Sequence, residues 1–114
     1  MKTISSWKDG DTDLDLLRRC KEAVEDVVAN ADVVLYGSRA RGDADEYSDY
    51  DILIIVDGPV DMNLKKEILS KVYPLELETG AVLTLIVYSK QKWNSPLYRA
   101  MPFRKNVEKD GVLL

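Results

Sequence analysis

The feature that most constrains the fold is the run Tyr50–Val56, which reads YDILIIV. After Asp51 this run is continuously apolar and rich in β-branched residues, a pattern typical of a strand that is buried on both faces. Turn-forming residues follow directly, in the order Asp57, Gly58, Pro59. Because a strand covered on both faces needs a layer of structure on each side, the chain is expected to build a layered fold around it.

Two other segments have the composition of buried strands. Residues 31–36 read ADVVLY and are followed by a glycine, and residues 81–88 read AVLTLIVY and are preceded by one. Their β-branched and aromatic content, with glycine as a boundary, predicts one strand in each segment.

The segments between these strands show helical spacing of apolar residues. One helix is predicted to start near Asp11, a short helical turn is expected after Gly37, and another helix is predicted over residues 62–72. Pro74 should break or kink that helix, with a further helical piece up to Gly80. The tail over residues 91–109 is predicted to be helical in part, interrupted by Pro96 and Pro102.

The resulting order of elements predicts an α/β or α+β fold with a small mixed sheet of three to four strands flanked by helices. With 114 residues, 46% of them apolar, the chain has the length of one domain. Residues 1–10 are expected to form a loose N-terminal arm, and residues 11–114 a single domain.

Composition excludes several classes of function. The net charge of −4 excludes a generally basic nucleic-acid coat, and no nucleic-acid partner is expected. No apolar run approaches the ~20 residues that span a bilayer, and residues 1–10 carry no secretory signal, so a cytoplasmic protein is expected. The chain has no histidine and one cysteine, Cys20. This excludes Ser-His and Cys-His catalysis, and only carboxylates remain as ligands for a hard metal ion.

Two carboxylates stand at the entrance of the central strand. Asp49 and Asp51 are two positions apart, so strand alternation places them on the same face. Neighbouring carboxylates repel each other, whereas a divalent cation such as Mg²⁺ stabilises the pair by binding an oxygen of each. An acidic pair that merely caps a strand is the alternative.

A candidate phosphate site precedes these aspartates. Gly37 and Ser38 follow the first strand, where a glycine allows close approach to the backbone and the amides of a turn suit phosphate oxygens. Arg39 and Arg41 add positive charge that pairs with phosphate. A plain junction with solvated arginines is the alternative. The combination of the Gly37-Ser38 turn with Asp49 and Asp51 at a restricted spacing is far more specific than either motif alone.

The run GSRARGDADEYSDYD resembles the signature of the DNA polymerase β-like nucleotidyltransferase superfamily. More narrowly, it looks like the minimal nucleotidyltransferases, small prokaryotic domains often encoded beside a HEPN-domain protein. The resemblance covers most of the chain, roughly residues 11–88, and the matching residues are Gly37, Ser38, Ala40, Arg41, Gly42, Ser48, Asp49 and Asp51.

The resemblance implies an activity and a partner. Such enzymes transfer a nucleoside monophosphate from a nucleoside triphosphate, here expected to be ATP, to a hydroxyl group. Gly37 and Ser38 would hold the triphosphate, and Asp49 and Asp51 would be the catalytic residues that bind two Mg²⁺ ions. The acceptor would be supplied by a HEPN toxin, against which the chain would act as an antitoxin, or by a second subunit in a homo-oligomer.

One position departs from the family pattern. The family usually carries a third carboxylate on the next core strand, but the segment over residues 81–88 has none, and Thr84 aligns with that place. Glu76 and Glu78 are the nearest substitutes. Since a hydroxyl brings no charge, the second metal is doubtful and activity is expected to be weak. The alternative function is therefore a nucleotide-binding module of the same fold that neutralises a partner by contact.

Overall fold

The computed structural model describes residues 1–7 and 14–114. The strands are β1 (Lys2–Thr3), β2 (Asp32–Tyr36), β3 (Tyr50–Val56), β4 (Leu83–Ser89) and β5 (Val112–Leu113). The helices are α1 (Leu14–Glu25), α2 (Ser38–Arg41), α3 (Met62–Thr79), α4 (Lys90–Trp93), α5 (Pro96–Ala100) and α6 (Pro102–Asp110). None of the helices in these residues has the length and apolarity needed to cross a membrane.

The five strands form one mixed sheet in the order β1-β5-β2-β3-β4. Strand β2 is antiparallel to both of its neighbours, whereas β3 and β4 are parallel, as are β1 and β5. The predicted α+β class with a mixed sheet is confirmed. The sheet has more strands than expected because β1 and β5 contain two residues each, too few to show a periodic pattern.

Both faces of the sheet are covered, which explains the continuous apolar run of β3. On one face, α1 and α3 enclose the larger core, with Leu17, Val24, Ile52, Ile54 and Val72 among its buried members. On the other face, residues of the last helices pack in a second core with Val34, Leu53, Ile55, Trp93 and Val107. Successive residues of β3 thus alternate between two apolar cores.

The expectation of a loose N-terminal arm is wrong for residues 1–7. Strand β1 pairs with β5, and the indole of Trp7 is buried, with its Nε1 donating a hydrogen bond to the carbonyl oxygen of Ala40 at 3.0 Å. Burial of a large aromatic ring together with a satisfied N–H outweighs the entropy of ordering so short a segment. The rest of the predicted arm, and the predicted start of the first helix near Asp11, lie outside the described residues.

Of the break or kink predicted at Pro74, the break is wrong, since α3 continues through this residue from Met62 to Thr79. Val72 and Leu75 on either side are buried against the core, and this packing holds the helix although proline removes one of its hydrogen bonds. The ends follow the sequence signals. Asp61 Oδ1 accepts a hydrogen bond from the Leu64 amide at 2.8 Å, and Gly80 ends the helix at φ 74°.

The tail consists of three short helices whose boundaries are set by its prolines. Pro96 and Pro102 begin α5 and α6, positions where the missing N–H would have no helical partner. Aromatic rings of the tail pack on one another and on the sheet, with centroids 5.3 to 6.0 Å apart, in the pairs Tyr36–Phe103, Tyr88–Trp93, Tyr88–Tyr98 and Trp93–Phe103.

Candidate active site

The turn at Gly37 and the carboxylate of Asp51 are in direct proximity. Gly37 lies between β2 and α2 with φ 76°, in a region that favours glycine. A Cβ atom at this position would stand 2.4 Å from Asp51 Oδ2, closer than any real contact. The absence of a side chain therefore brings the backbone that starts α2 against the carboxylate that starts β3.

The two predicted metal ligands influence each other electrostatically. Asp51 lies on β3, and Asp49 lies two residues earlier, just before the strand. Partial burial raises the pKa of Asp51 above its usual value, the negative charge of Asp49 raises it further, and the Arg41 charge opposes both effects. This arrangement places two like charges where a cation would relieve their repulsion.

Helix α2 is a single turn held at both ends. The amides of Ala40 and Arg41 donate to the carbonyl oxygen of Gly37 at 3.1 Å, and Gly42 ends the turn at φ 83°. Within the described part of the chain, the hydroxyl of Ser38, the first residue of the turn, forms no hydrogen bond. The hydroxyl is therefore available to a ligand at the point where Gly37 meets Asp51.

Arg39 is engaged with the loop between the two motifs. Its guanidinium donates to the carbonyl oxygen of Ser48 at 2.9 and 3.2 Å and to that of Glu46 at 3.4 Å, and lies 4.4 Å from the ring centre of Tyr50. These contacts hold the backbone that leads into Asp49. The predicted contact of Arg39 with phosphate stays a prediction.

Arg41 is paired with a neighbouring acid. It forms an exposed ion pair with Asp43 at 3.1 Å, which raises the pKa of the guanidinium, and the charges of Asp110 and Asp51 add to this effect. The charges of Arg41 and Asp51 thus interact, and the predicted contact of Arg41 with phosphate stays a prediction.

Thr84 stands beside Asp51. The two residues are partners in the parallel pairing of β3 with β4, so their side chains leave the sheet on the same face, and Thr84 is exposed. The substitutes considered from the sequence are engaged elsewhere. Glu76 Oε2 accepts a hydrogen bond from the Leu83 amide at 3.2 Å, and Glu78 pairs with Arg19 at 2.5 Å.

The donor set fits one Mg²⁺ ion better than two. In the described part of the chain, no group of three or more acidic, histidine or cysteine side chains is arranged around a common metal position. Mg²⁺ is commonly held by one or two carboxylates together with phosphate oxygens of the substrate and water. Asp49 and Asp51 can meet that need for an ion that arrives with a triphosphate.

Sequence reasoning missed two residues at the site. Tyr36 is the antiparallel partner of Asp51, and burial, with the charge of Asp51 second, raises the pKa of its hydroxyl to about 12. Strand alternation could have indicated this neighbour. The pairing of β5 with β2 brings Asp110 to the site, where its charge interacts with that of Arg41. This neighbour could not be predicted because the sequence did not indicate strand β5.

Comparison with known proteins shows the family of the chain. Residues 16–113 match a protein family described as "nucleotidyltransferase domain". Two proteins of Methanocaldococcus jannaschii that bear the name "putative protein adenylyltransferase" are each 38% identical to the chain. The first is similar over 82 residues, which are 72% of this chain and 75% of the relative. The second is similar over 58 residues, which are 51% of this chain and 59% of the relative.

A crystal structure described as that of a putative nucleotidyltransferase from Sulfolobus solfataricus is 26% identical to the chain. The two structures align over 93% of this chain and 90% of the Sulfolobus chain, with a TM-score of 0.46. The family match extends over most of the sequence and includes both motifs of the site. The chain therefore belongs to the nucleotidyltransferase domain family and is a transferase enzyme.

Proposed function

We propose that the chain transfers AMP from Mg²⁺-bound ATP to a hydroxyl group of a protein and releases pyrophosphate. The observation that carries this proposal is the approach of Gly37 to Asp51, which brings the proposed phosphate-binding turn against the proposed metal-binding carboxylate. The choice of an adenylyl group and of a protein acceptor is supported by the names of the two relatives.

Each motif has a distinct task in this reaction. The backbone at Gly37 and the hydroxyl of Ser38 bind oxygens of the triphosphate, and Arg41 supplies positive charge beside them. Asp49 and Asp51 hold Mg²⁺, which supplies charge stabilisation at the oxygens of the transferring phosphoryl group. Arg39 fixes the loop that carries Asp49 through its bonds to the Ser48 carbonyl oxygen.

We further propose that the acceptor hydroxyl lies on a HEPN-domain toxin and that the modification neutralises this toxin. The support is the resemblance of the run GSRARGDADEYSDYD to the minimal nucleotidyltransferases, which are often encoded beside such a partner. The composition, with a single buried cysteine and no histidine, is compatible with a cytoplasmic site for the reaction, where ATP and Mg²⁺ are abundant.

One observation favours a second function. Thr84 occupies the position beside Asp51 where a third carboxylate would strengthen the metal site on the acceptor side. A chain that holds Mg²⁺-ATP but activates the acceptor poorly could instead neutralise its partner by contact. In this alternative, the chain binds the nucleotide but does not transfer AMP.

The two functions are separated by incubation of the chain with ATP labelled on the α-phosphate, Mg²⁺ and the HEPN protein. We expect label on the partner with the parent chain. The double variant Asp49→Asn, Asp51→Asn should transfer no label, because the amides bring no charge to the metal.

A matched control is Asp57→Asn, which removes an exposed carboxylate at the opposite end of the same strand and should transfer label normally. Calorimetry should also show that Mg²⁺ tightens ATP binding to the parent but not to the double variant. Tight Mg²⁺-ATP binding by the double variant would show the metal assignment to be wrong. Neutralisation of the partner without transfer would select the contact function.

A further inference from the structure

We propose that the chain forms a two-fold symmetric dimer through strand β4, so that the two sheets join into one continuous sheet. Strand β4 is the last in the sheet order, and within residues 1–7 and 14–114 nothing pairs with its outer edge. An open edge presents a row of main-chain N–H and C=O groups to any strand that can approach. This inference does not depend on the proposed function.

Strand β4 lacks the features that usually protect an edge. Its sequence, LTLIVYS, contains no charge and no proline, and it pairs with β3 one residue to one without a bulge. Four of its residues line a groove of about 320 Å³ together with α3, formed by Lys65, Ile68, Leu69, Leu85, Ile86, Val87 and Tyr88. The edge is therefore both unpaired and apolar.

The hydrogen bonds of β4 show which groups are free. The Tyr50 amide donates to the carbonyl oxygen of Val82 at 2.9 Å, and alternate residues of a strand direct their main-chain groups to the same side. The groups of Leu83, Leu85 and Val87 therefore face away from β3. The Leu83 amide is already bound by Glu76 Oε2, so the free edge begins at Leu85.

These free groups are compatible with more than one antiparallel register, and the register centred on Ile86 pairs Leu85 with Val87, both of which line the groove. When a second copy approaches antiparallel, Leu85 of each copy can pair with Val87 of the other through reciprocal hydrogen bonds. Ile86 then lies on the two-fold axis opposite its own counterpart. In this register Leu83 of one copy lies opposite Ser89 of the other, where the bond from the Leu83 amide to Glu76 leaves only the Leu83 carbonyl oxygen to pair. An isologous pairing of this kind closes on itself and does not propagate into a fibre.

Helix α3 supplies a second contact on the same side. Leu69, Tyr73 and Leu77 are spaced by four residues and are 51, 57 and 69% exposed. Leu69 lines the groove beside β4, so this apolar stripe borders the open edge. Two-fold pairing of β4 would bring the stripes together, with Leu69 of one copy against Tyr73 of the other, and remove both from water.

The charges around the stripe favour a second copy over an unrelated strand. Lys65 lies in the groove near one end of the stripe, and Glu76 lies near the other end, beside Leu83. An antiparallel two-fold arrangement places Lys65 of each copy near Glu76 of the other. Because β4 itself is uncharged, the two edges do not repel each other. The surface is therefore complementary to itself.

Sedimentation velocity of the full chain tests the dimer. We expect a mass near twice 12.9 kDa for the parent and 12.9 kDa for the variant Leu69→Lys, Tyr73→Lys. Leu97→Lys is the matched control, since it adds a lysine at a leucine that is 71% exposed on α5, and it should remain dimeric. Circular dichroism and thermal unfolding verify that each variant is folded.

A cysteine cross-link tests the register. In the proposed pairing, the variant Ile86→Cys brings two thiols into the close, non-hydrogen-bonded position of an antiparallel pair, so mild oxidation should yield a covalent dimer. Leu97→Cys should not, and the native Cys20 is buried and does not compete. A monomeric parent, a dimer that survives the stripe substitutions, or no cross-link at position 86 would overturn the proposal. Assembly only with a different protein would assign the edge to that protein instead.

Discussion

Gly37 is the residue on which the site depends most directly. Its positive φ and the 2.4 Å separation between a hypothetical Cβ and Asp51 Oδ2 mean that no other residue fits without moving the aspartate. In the proposed function, the same close approach lets a triphosphate contact the backbone at Gly37 and the proposed metal ligand Asp51 together. Under that proposal, the missing side chain at Gly37 defines where the phosphate and the cation meet.

Ser38→Ala tests the phosphate side of the site. Loss of a hydrogen bond to a charged phosphate costs roughly 1.5–3 kcal/mol, so ATP binding should weaken by about 10- to 150-fold with an unchanged fold. Isothermal titration calorimetry with Mg²⁺-ATP measures this directly. Ser70→Ala on α3, where the hydroxyl only donates to the Glu67 carbonyl oxygen, is the control and should bind normally. Equal affinity of the Ser38 variant and the control would reduce the turn at Gly37 to a structural role.

Thr84→Asp tests the missing carboxylate. Since Thr84 is the strand partner of Asp51, an aspartate there adds a negative ligand to the metal site, and AMP transfer should increase or appear where the parent shows none. Without Mg²⁺ the variant should be less stable than the parent, because three acidic groups then repel one another. Transfer to the partner and unfolding with and without Mg²⁺ are the measurements. Efficient transfer by the parent, unaffected by Thr84→Asp, would mean that another group already supplies the ligand.

At this scale the sequence indicates candidate residues but not their contacts. Spacing and residue type identify Gly37, Ser38, Asp49 and Asp51, since these residues lie within one short stretch of chain. The engagement of Arg39 with the Ser48 carbonyl oxygen depends on how the intervening loop folds back, which no local pattern indicates.

At the scale of elements, the interior of the sheet follows from local pattern. Strand β3 has the predicted bounds, and β2 and β4 lie within two residues of theirs, because their apolar runs are long enough to be distinctive. Strands β1 and β5 pair with each other from opposite ends of the chain, so only tertiary structure defines them. The continuity of α3 through Pro74 likewise depends on packing that the sequence does not display.

Pro74→Ala tests how much strain α3 tolerates. The substitution restores a helical N–H in an exposed part of the helix and should stabilise the protein by about 1–3 kcal/mol, measured by urea unfolding. Pro102→Ala is the matched control, because proline at the first position of α6 loses no helical bond and its removal should not stabilise. A destabilised Pro74→Ala variant would show that the ring itself contributes to packing.

At the scale of the whole molecule, Cys20 reports on global unfolding. The residue is fully buried in the larger core, and burial raises the pKa of its thiol to about 11. Because the unfolded thiol ionises near pH 8.5, stability should fall above that pH by up to about 1.4 kcal/mol per pH unit and level off near pH 11. Below pH 8 the thiol makes no pH-dependent contribution.

This pH effect can be measured by urea unfolding of the parent and of Cys20→Ala between pH 8 and pH 11. The alanine variant is less stable at neutral pH because of the cavity it leaves, but its stability should fall less steeply over this range. Modification of Cys20 by a thiol reagent should also proceed only as fast as the protein opens. Rapid modification of the folded protein at pH 8 would contradict the burial of this side chain.

The pairing of β1 with β5 also bears on the order in which the sheet can assemble. Strands β2 and β3 meet through a short connection, since Tyr36 pairs with Asp51, whereas Lys2 pairs with Val112, about 110 positions away. Contacts between near neighbours in sequence close with little loss of chain entropy, and distant ones close last. On the ribosome, the turn at Gly37 and the Asp51 carboxylate can thus come together before β5 has emerged to pair with the far side of β2.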